Sequence, residues 1–232
     1  MKKALNIILI LFLAAFFFGV VYPLVFPNIP RLKKENPRLT SFMKYRQKEW
    51  KKEGKNIKLH YSWTPLSKIS PFLINAVLIA EDDKFYQHRG FDVEAIKLAI
   101  KTNVEKKRVK FGGSTITQQL AKNLYLSPSK SLVRKIREAI LTWRLEKRLT
   151  KKRILELYLN VVEWGNGIFG VEAASRHYFG KPASSLRPEE SARLAVILPS
   201  PRRYRLDGNS DYIEKRTQEI LAIMEKRGII SR

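Results

Sequence analysis

The chain has 232 residues, with 45 Lys and Arg against 21 Asp and Glu and a formal net charge of +24. That length accommodates one membrane segment and one globular domain rather than two large domains, and a 44% hydrophobic composition with 11% aromatics excludes a disordered chain. The absence of Cys excludes disulfides, thiolate zinc sites and cysteine nucleophiles, and so large a positive charge calls for an anionic partner: nucleic acid, lipid or a phosphorylated substrate.

From Ala4 to Pro30 no residue is charged, and Leu5 to Tyr22 is apolar apart from Asn6, enough for about 27 Å of helix at ~1.5 Å per residue. Lys2 and Lys3 precede it, which puts the N-terminus in the cytoplasm and everything after Arg31 outside. A cleaved signal peptide is the alternative. No small-x-small site precedes Tyr22-Pro23 and the apolar run exceeds a signal core, so an uncleaved anchor is favoured. The expected organisation is a tail over 1–4, a transmembrane helix over 5–22, a basic juxtamembrane segment over 23–60 and a globular domain over 61–232. An outside location removes nucleic acid and leaves the membrane face and a phosphorylated substrate as partners.

Between Arg31 and His60 stand eleven Lys/Arg and three Glu, interleaved with Phe42, Met43, Tyr45 and Trp50. Such a mixture suits a segment lying against lipid headgroups, with a solvated linker as the plainer reading. Ser70-Pro71 then opens an apolar helix expected to end near Phe85, with Glu81-Asp82-Asp83 at its C-terminal end. Asp92 caps a second helix, whose Val93, Ile96, Ile100 and Val104 share a face and are expected in the core. Lys106 to Lys110 leads into a Phe111-Gly112-Gly113 loop before a polar helix starting near Thr115. An amphipathic helix is predicted from Ser131 to Leu149, and Thr150 caps the next. Gly165-Asn166-Gly167 breaks the pattern. Further helices are expected over Val171–Phe179, stopped by Gly180, over Pro188–Leu198, and over Asp211–Arg227. Alternating strand patterns are almost absent, so the class is mainly α.

Acids at the end of an apolar helix are partly desolvated, which suits Glu81 to proton transfer. Glu138, with Arg134 at i,i−4, reads alone as a surface ion-pair ladder; with Glu81 it makes the two-carboxylate arrangement used in glycosyl transfer and glycoside hydrolysis. Thr115, Gln118, Gln119, Lys122 and Asn123 fall on one helical stripe able to hold a phosphorylated sugar, unless it is simply a solvated face. His88 reads as a structural hydrogen-bonding residue at a turn. No metal-site motif is present. Ser127-Pro128-Ser129-Lys130 matches the Ser-x-x-Lys of penicillin-interacting enzymes but lacks their partner motifs.

Five blocks together resemble the peptidoglycan glycosyltransferases of glycosyltransferase family 51: Glu81-Asp82-Asp83-Lys84-Phe85-Tyr86-Gln87-His88-Arg89-Gly90, Gly112-Gly113-Ser114-Thr115-Ile116-Thr117-Gln118-Gln119-Leu120-Ala121-Lys122-Asn123, Arg134-Lys135-Ile136-Arg137-Glu138, Ile154-Leu155-Glu156-Leu157-Tyr158-Leu159-Asn160, and Gly167-Ile168-Phe169-Gly170 leading to Tyr178-Phe179-Gly180-Lys181. The resemblance covers about 63–204. Leu39-Thr40-Ser41-Phe42-Met43 and the lack of a transpeptidase domain resemble the monofunctional branch. The resemblance implies a lysozyme-like α domain behind one transmembrane helix, held on the outer, periplasmic side of the bacterial cytoplasmic membrane. There it would polymerise lipid II onto a growing glycan chain by inverting β-1,4 transfer, releasing undecaprenyl diphosphate. It implies Glu81 as general base and Glu138 as the second essential carboxylate. Lys122, Arg134 and Lys135 would hold the diphosphate, with Lys130 where many members carry Arg, and Asp82, Phe85, His88, Ser114, Thr115, Gln118, Gln119 and Asn123 would bind substrate. It further implies a divalent cation, Mg²⁺ or Mn²⁺, no organic cofactor, and contacts with other cell-wall synthesis proteins. The rivals are a lysozyme-like hydrolase, which has little use for the cations, and a basic membrane scaffold, which has none for Glu81.

Overall fold

A computed structural model describes residues 2–105, 113–129, 131–206, 208 and 210–231. The basic run 106–110, the Phe111-Gly112 part of the expected loop, and Lys130 lie outside the described residues. The described chain is mainly helical. In order come α1 (Lys2–Phe16), a π-helical turn (Phe17–Val21), α2 (Tyr22–Val25), α3 (Ser41–Lys52), β1 (His60–Tyr61), α4 (Pro71–Glu81), α5 (Val93–Glu105), α6 (Ile116–Tyr125), α7 (Leu132–Arg148), α8 (Lys151–Val161), β2 (Glu163–Gly165), β3 (Ile168–Phe169), α9 (Val171–Phe179), α10 (Pro188–Ile197) and α11 (Asp211–Lys226).

The core is built on α6, which packs between α7 and α8, while α4, α10 and α11 pack against one another. Ile116 and Leu120 of α6, Leu141 and Leu145 of α7, and Ile154, Leu157 and Tyr158 of α8 are all buried in one apolar cluster with Leu73 and Val77 of α4. These positions recur at three and four residues, so each helix turns one stripe inward. Threonines start three of the helices: Thr40 Oγ1 accepts from Met43 N at 3.2 Å, Thr115 Oγ1 from Gln118 N at 3.2 Å and Thr150 Oγ1 from Arg153 N at 3.3 Å, satisfying amides that have no partner inside the helix. Ser70 precedes α4 as expected but makes no cap; its hydroxyl donates to Leu186 O instead. That helix stops at Glu81, four residues before the expected Phe85.

Two expectations need correction. The first concerns the basic segment over 31–60, which is built into the domain: α3 buries Phe42, Met43 and Trp50 and packs on α6, and Ile29 and Leu32 join the main core. Phe42 and Trp50 are core residues interleaved with exposed cations, a pattern that composition cannot distinguish from an interfacial helix. The second is the stripe on α5, which is not core: Val93 is 58% and Ile100 59% exposed. Within the mainly α domain stands a small sheet, in the order β1-β3-β2, with β1 parallel and β2 antiparallel to β3. Its strands are two or three residues long, too short to show alternation. Gly170 follows it with φ +81°, where an added Cβ would stand 2.6 Å from Asn160 O, so only glycine fits this corner.

Among the described residues no helix is long and apolar enough to cross a membrane. The helical backbone runs on from Lys2 to Val25, but its hydrogen bonding changes at Phe17 from α to π and back. This leaves 15 residues in α1, about 22 Å at ~1.5 Å per residue.

Candidate active site

A cleft of about 880 Å³ opens between α3, the C-terminal end of α4, α6, the start of β2, the turn after α10 and α11. Glu81, the last residue of α4, lies on its wall. Gln119 Nε2 donates to Glu81 Oε2 at 2.6 Å, while Oε1 is buried with no hydrogen-bond partner. Burial pushes the Glu81 carboxyl above its ordinary 4.5; the Gln119 hydrogen bond and the charge of Lys122 pull it down, and Asp82 adds to the rise. A carboxylate at a helix C-terminus also faces the negative end of the helix dipole. The group is therefore a strengthened base with one oxygen uncommitted.

The two acids that follow do different work. Asp82 is buried and caps the start of α6, with Oδ2 accepting from Ile116 N at 2.9 Å. Its Oδ1 lies 2.8 Å from His88 Nε2. Because His88 Nδ1 accepts from Gly90 N at 3.1 Å, the ring proton belongs on Nε2 and is donated to Asp82. Asp83 is bound by both arms of Arg227 at 2.6 and 2.8 Å, tying the end of α4 to the C-terminal region.

The polar stripe of α6 divides. Thr115 and Gln118 are buried and spent on the capping box, and Thr115 also donates to Gly90 O at 2.7 Å. Ser114, Gln119, Lys122 and Asn123 reach the cleft. Tyr158, fully buried, donates to Gln119 Oε1 at 3.1 Å, so the amide nitrogen is the end that faces Glu81. Phe85, expected to touch substrate, is instead 0% exposed and lies under the Lys151 ammonium at 4.4 Å. Asp82, Phe85, His88, Thr115 and Gln118 thus form the frame behind the cleft wall.

Glu138 is buried on α7 and holds two cations: Arg134 Nη1 at 2.7 Å on Oε2, and Lys135 Nζ on Oε1. Arg134 also reaches Ser129 O and lines a second cavity of about 380 Å³ with Ser127, Ser129 and Arg137; the intervening Pro128 lines the main cleft. Lys122 connects the two groups electrostatically. Burial pushes its ammonium below the ordinary 10.5; Glu138 and Glu81 pull it up, while Arg134 and Lys135 push it down. The expected carboxylates and cations therefore share one field with Lys122 in the middle.

The sequence reading missed the far side of the cleft. Phe42 and Arg46 from α3, Glu163 from β2, Arg202, and Tyr212, Lys215 and Arg216 from α11 line it. Arg216, paired with Glu219 at 2.6 Å, adds its charge to those lowering Glu81. In sequence, Arg46 sits in a basic run and Arg216 on a charged helix face, where the i,i+3 pair with Glu219 is the only signal, and it reads as solvated. The fourth block serves the scaffold: Asn160 exchanges hydrogen bonds with Thr64 N and O, all at 2.8 Å.

The family described as Transglycosylase matches residues 49–225. The chain is 45% identical over 217 residues to the biosynthetic peptidoglycan transglycosylase of Nitrosospira multiformis, covering 92% of this chain and 94% of that one. It is 50% identical over 198 residues to the protein of the same description in Azoarcus sp., covering 83% and 86%. It is 56% identical over 169 residues to that of Aromatoleum aromaticum, covering 73% and 74%.

Proposed function

The chain belongs to the transglycosylase family, and from that premise we propose that its cleft polymerises lipid II into the glycan strands of the bacterial cell wall. The observation that carries the reading is a chain of coupled charges: a desolvated carboxylate with an unpartnered oxygen at Glu81 on the main cleft, then Lys122, then the Arg134–Lys135–Glu138 cluster beside the neighbouring cavity. Glu81 takes the proton from the acceptor's GlcNAc 4-hydroxyl as that oxygen attacks C1 of the donor MurNAc on the face opposite the leaving group, inverting the centre. Rotation of the carboxylate about its soft terminal torsion turns Oε1 to the cleft. The departing undecaprenyl diphosphate needs its growing negative charge stabilised more than it needs a proton, which is the work of Lys122, Arg134 and Lys135. Glu138 fixes the last two. Lys130 supplies a further charge by resemblance alone. A hydrolase of neutral glycosidic bonds has no comparable use for these cations, and the helical domain with its long cleft suits the lysozyme-like architecture that the resemblance implies.

Among the described residues no three His, Asp or Glu side chains come together to hold a metal, and both oxygens of Glu138 are taken by cations. These described residues thus offer no ligand set that fits a resident Mg²⁺ or Mn²⁺, and a divalent ion in the reaction would be held with the diphosphate of the substrate. The reading gives the apolar segment the role of membrane anchor: Ile10, Leu11 and Phe18 are exposed on a helical run that carries no charge after Lys3, which water does not favour. The catalytic domain then stands on the periplasmic face, beside the substrate's headgroup and within reach of other cell-wall synthesis proteins.

The test is incubation of the full chain, purified in detergent, with lipid II. Polymer is expected from the wild type, with loss of about 10²-fold or more in Glu81→Gln and severe loss in Lys122→Ala and Arg134→Ala. Full activity in Glu81→Gln overturns the mechanism. Solubilisation of preformed cell wall without polymer would make the protein a hydrolase.

A further inference from the structure

Glu163 opens β2, outside all five blocks, and is 3% exposed on the wall of the same cleft as Glu81. Only half of its carboxylate is used. Arg46 sends both Nε, at 3.0 Å, and Nη2, at 2.8 Å, to the single oxygen Oε2. The other oxygen, Oε1, is buried with no hydrogen-bond partner. The arginine nearest in the network is committed elsewhere: Arg202 Nη1 goes to Glu49 Oε2 at 2.8 Å, the oxygen that Arg46 Nη1 also reaches at 2.8 Å. Arg46 from α3 thus holds one oxygen of a β2 carboxylate in place and leaves its other acceptor open, while Glu49, which Arg202 also binds, holds Arg46. A buried acceptor without a donor lowers stability, and a ligand that supplies the donor recovers that loss.

We propose that Glu163, held by Arg46, is a specificity residue for the saccharide, its Oε1 accepting a hydrogen bond from a sugar hydroxyl or an acetamido N–H of the glycan in the cleft. The inference rests on the glycan-polymerising reading above and adds to it a recognition point away from the base. The open acceptor selects the occupant. A sugar hydroxyl or an acetamido N–H supplies the donor that Oε1 lacks, whereas a phosphate or a peptide carboxylate brings only acceptors to it. Phe42, which lines the cleft beside it with the Arg46 guanidinium 4.8 Å from its ring centroid, offers an apolar face of the kind on which the C–H side of a sugar packs. Arg46 is the positioning residue. By occupying one oxygen with two bonds it fixes which oxygen remains for the ligand.

The experiment uses the full chain in detergent, with two probes: lipid II for steady-state kinetics, and chitotetraose, a β-1,4 tetramer of N-acetylglucosamine, for binding by NMR titration. In Glu163→Gln the amide oxygen still accepts from Arg46 and an NH₂ group replaces the open acceptor. KM for lipid II is expected to rise about 5- to 10-fold, the range of one hydrogen bond, with kcat little changed. Chitotetraose affinity should fall by a similar factor while Tm holds. Unchanged KM and unchanged chitotetraose affinity overturn the inference. So does a fall in Tm and kcat at constant KM, because Glu163 would then only fasten α3 to β2. Should Glu163→Gln fail to fold, Glu163→Asp, which keeps the charge near Arg46 but draws the oxygen back from the cleft, reads the same two quantities. If the wild type makes no polymer the functional reading fails by itself, and the chitotetraose arm still decides the role of Glu163.

Discussion

Gln119 donates Nε2 to Glu81 Oε2 at 2.6 Å, and so lowers the pKa of a carboxyl that burial raises. The bond depends on the amide's orientation, which Tyr158 fixes from the other end by donating to Oε1 at 3.1 Å. Replacing Gln119 with Leu removes the N–H that favours the charged form. The pKa governing the acidic side of the rate profile should then rise, and the rate on that limb should fall by about 10-fold or more, since a hydrogen bond to a charged group is worth about 1.5–3 kcal/mol. Tyr158→Phe should shift the same limb in the same direction by less, because Gln119 keeps its place but not its fixed orientation. A profile of kcat/KM against pH checks both. An unmoved acidic limb in Gln119→Leu would mean that Glu81 is not the titrating base.

The wild-type profile itself should be a narrow bell. Glu81 must be ionised to act, and its pKa is raised by burial; Lys122 must be protonated, and its pKa is lowered by burial. Activity therefore rises with pH through the first and falls through the second, and both limbs move inward from ordinary Glu and Lys values. Lys122→Arg, whose guanidinium does not titrate in this range, should lose the basic limb while keeping the acidic one.

Glu81 also links pH to stability. Its folded-state pKa lies above the unfolded value, so the folded state binds the proton more tightly, and the contribution is most favourable below the ordinary 4.5 and is lost as pH rises through the raised value. Glu81→Gln removes that loss. The variant should be more stable than wild type at about pH 8, by about 1.4 kcal/mol for each pH unit between the two values, and equal to it near pH 4. Thermal melts at the two pH values check this. A variant less stable at high pH would show that the carboxylate supports the fold.

Glu138 holds Arg134, which is 20% exposed, and Lys135, which is 48% exposed. The Lys135 pair is close enough to solvent to add little stability, so the cost of Glu138→Gln comes mainly from Arg134, about 1–3 kcal/mol. The functional effect should be larger than that suggests. Glu138 also pulls the Lys122 pKa up, so its loss should move the basic limb to lower pH and cut turnover with lipid II more than 10-fold. A basic limb that stays in place would separate Glu138 from Lys122.

Helices with a repeating apolar stripe and a capping residue were legible in the sequence: α6 after Thr115, α8 after Thr150 and α9 before Gly180 follow from local rules alone. The near wall of the site was legible for the same reason, since Glu81 ends one such helix and Lys122 lies on another. What stayed hidden depends on distant partners. Thr115 and Gln118 present the same polar pattern whether they bind a sugar or cap a helix, and only the position of Asp82 over Ile116 N shows that the helix start is enclosed. Glu163 and Arg46 are 117 residues apart, and no periodicity connects them. The exposed face of α5 has the period of a core helix; burial there is decided by whether another element arrives, which the period does not state.

The N-terminal segment should prove divisible, with a boundary set by packing rather than by hydropathy. Residues up to Val25 contribute backbone and apolar surface to α7: Arg144 donates to Pro23 O at 2.8 Å and to Val25 O at 3.1 Å, and Gly19 lies close enough to Val133 that an added Cβ would meet it at 3.3 Å. Arg144 is exposed enough to take water in place of those carbonyls, so removing residues 1–28 should leave a domain that folds and polymerises lipid II in detergent. Extending the cut to residue 31 removes Ile29, which is 0% exposed in the main core, and this should cost about 2–5 kcal/mol. Thermal melts of the two truncations measure that difference directly. On lipid vesicles the 1–28 truncation should bind more weakly than the full chain, through exposed cations alone, and its binding should fall as salt screens them. Binding equal to the full chain at high salt would deny the segment its role as anchor. A 1–28 truncation that folds but is inactive in detergent would show that the N-terminal helix acts on α7, and through Glu138 on the diphosphate cations.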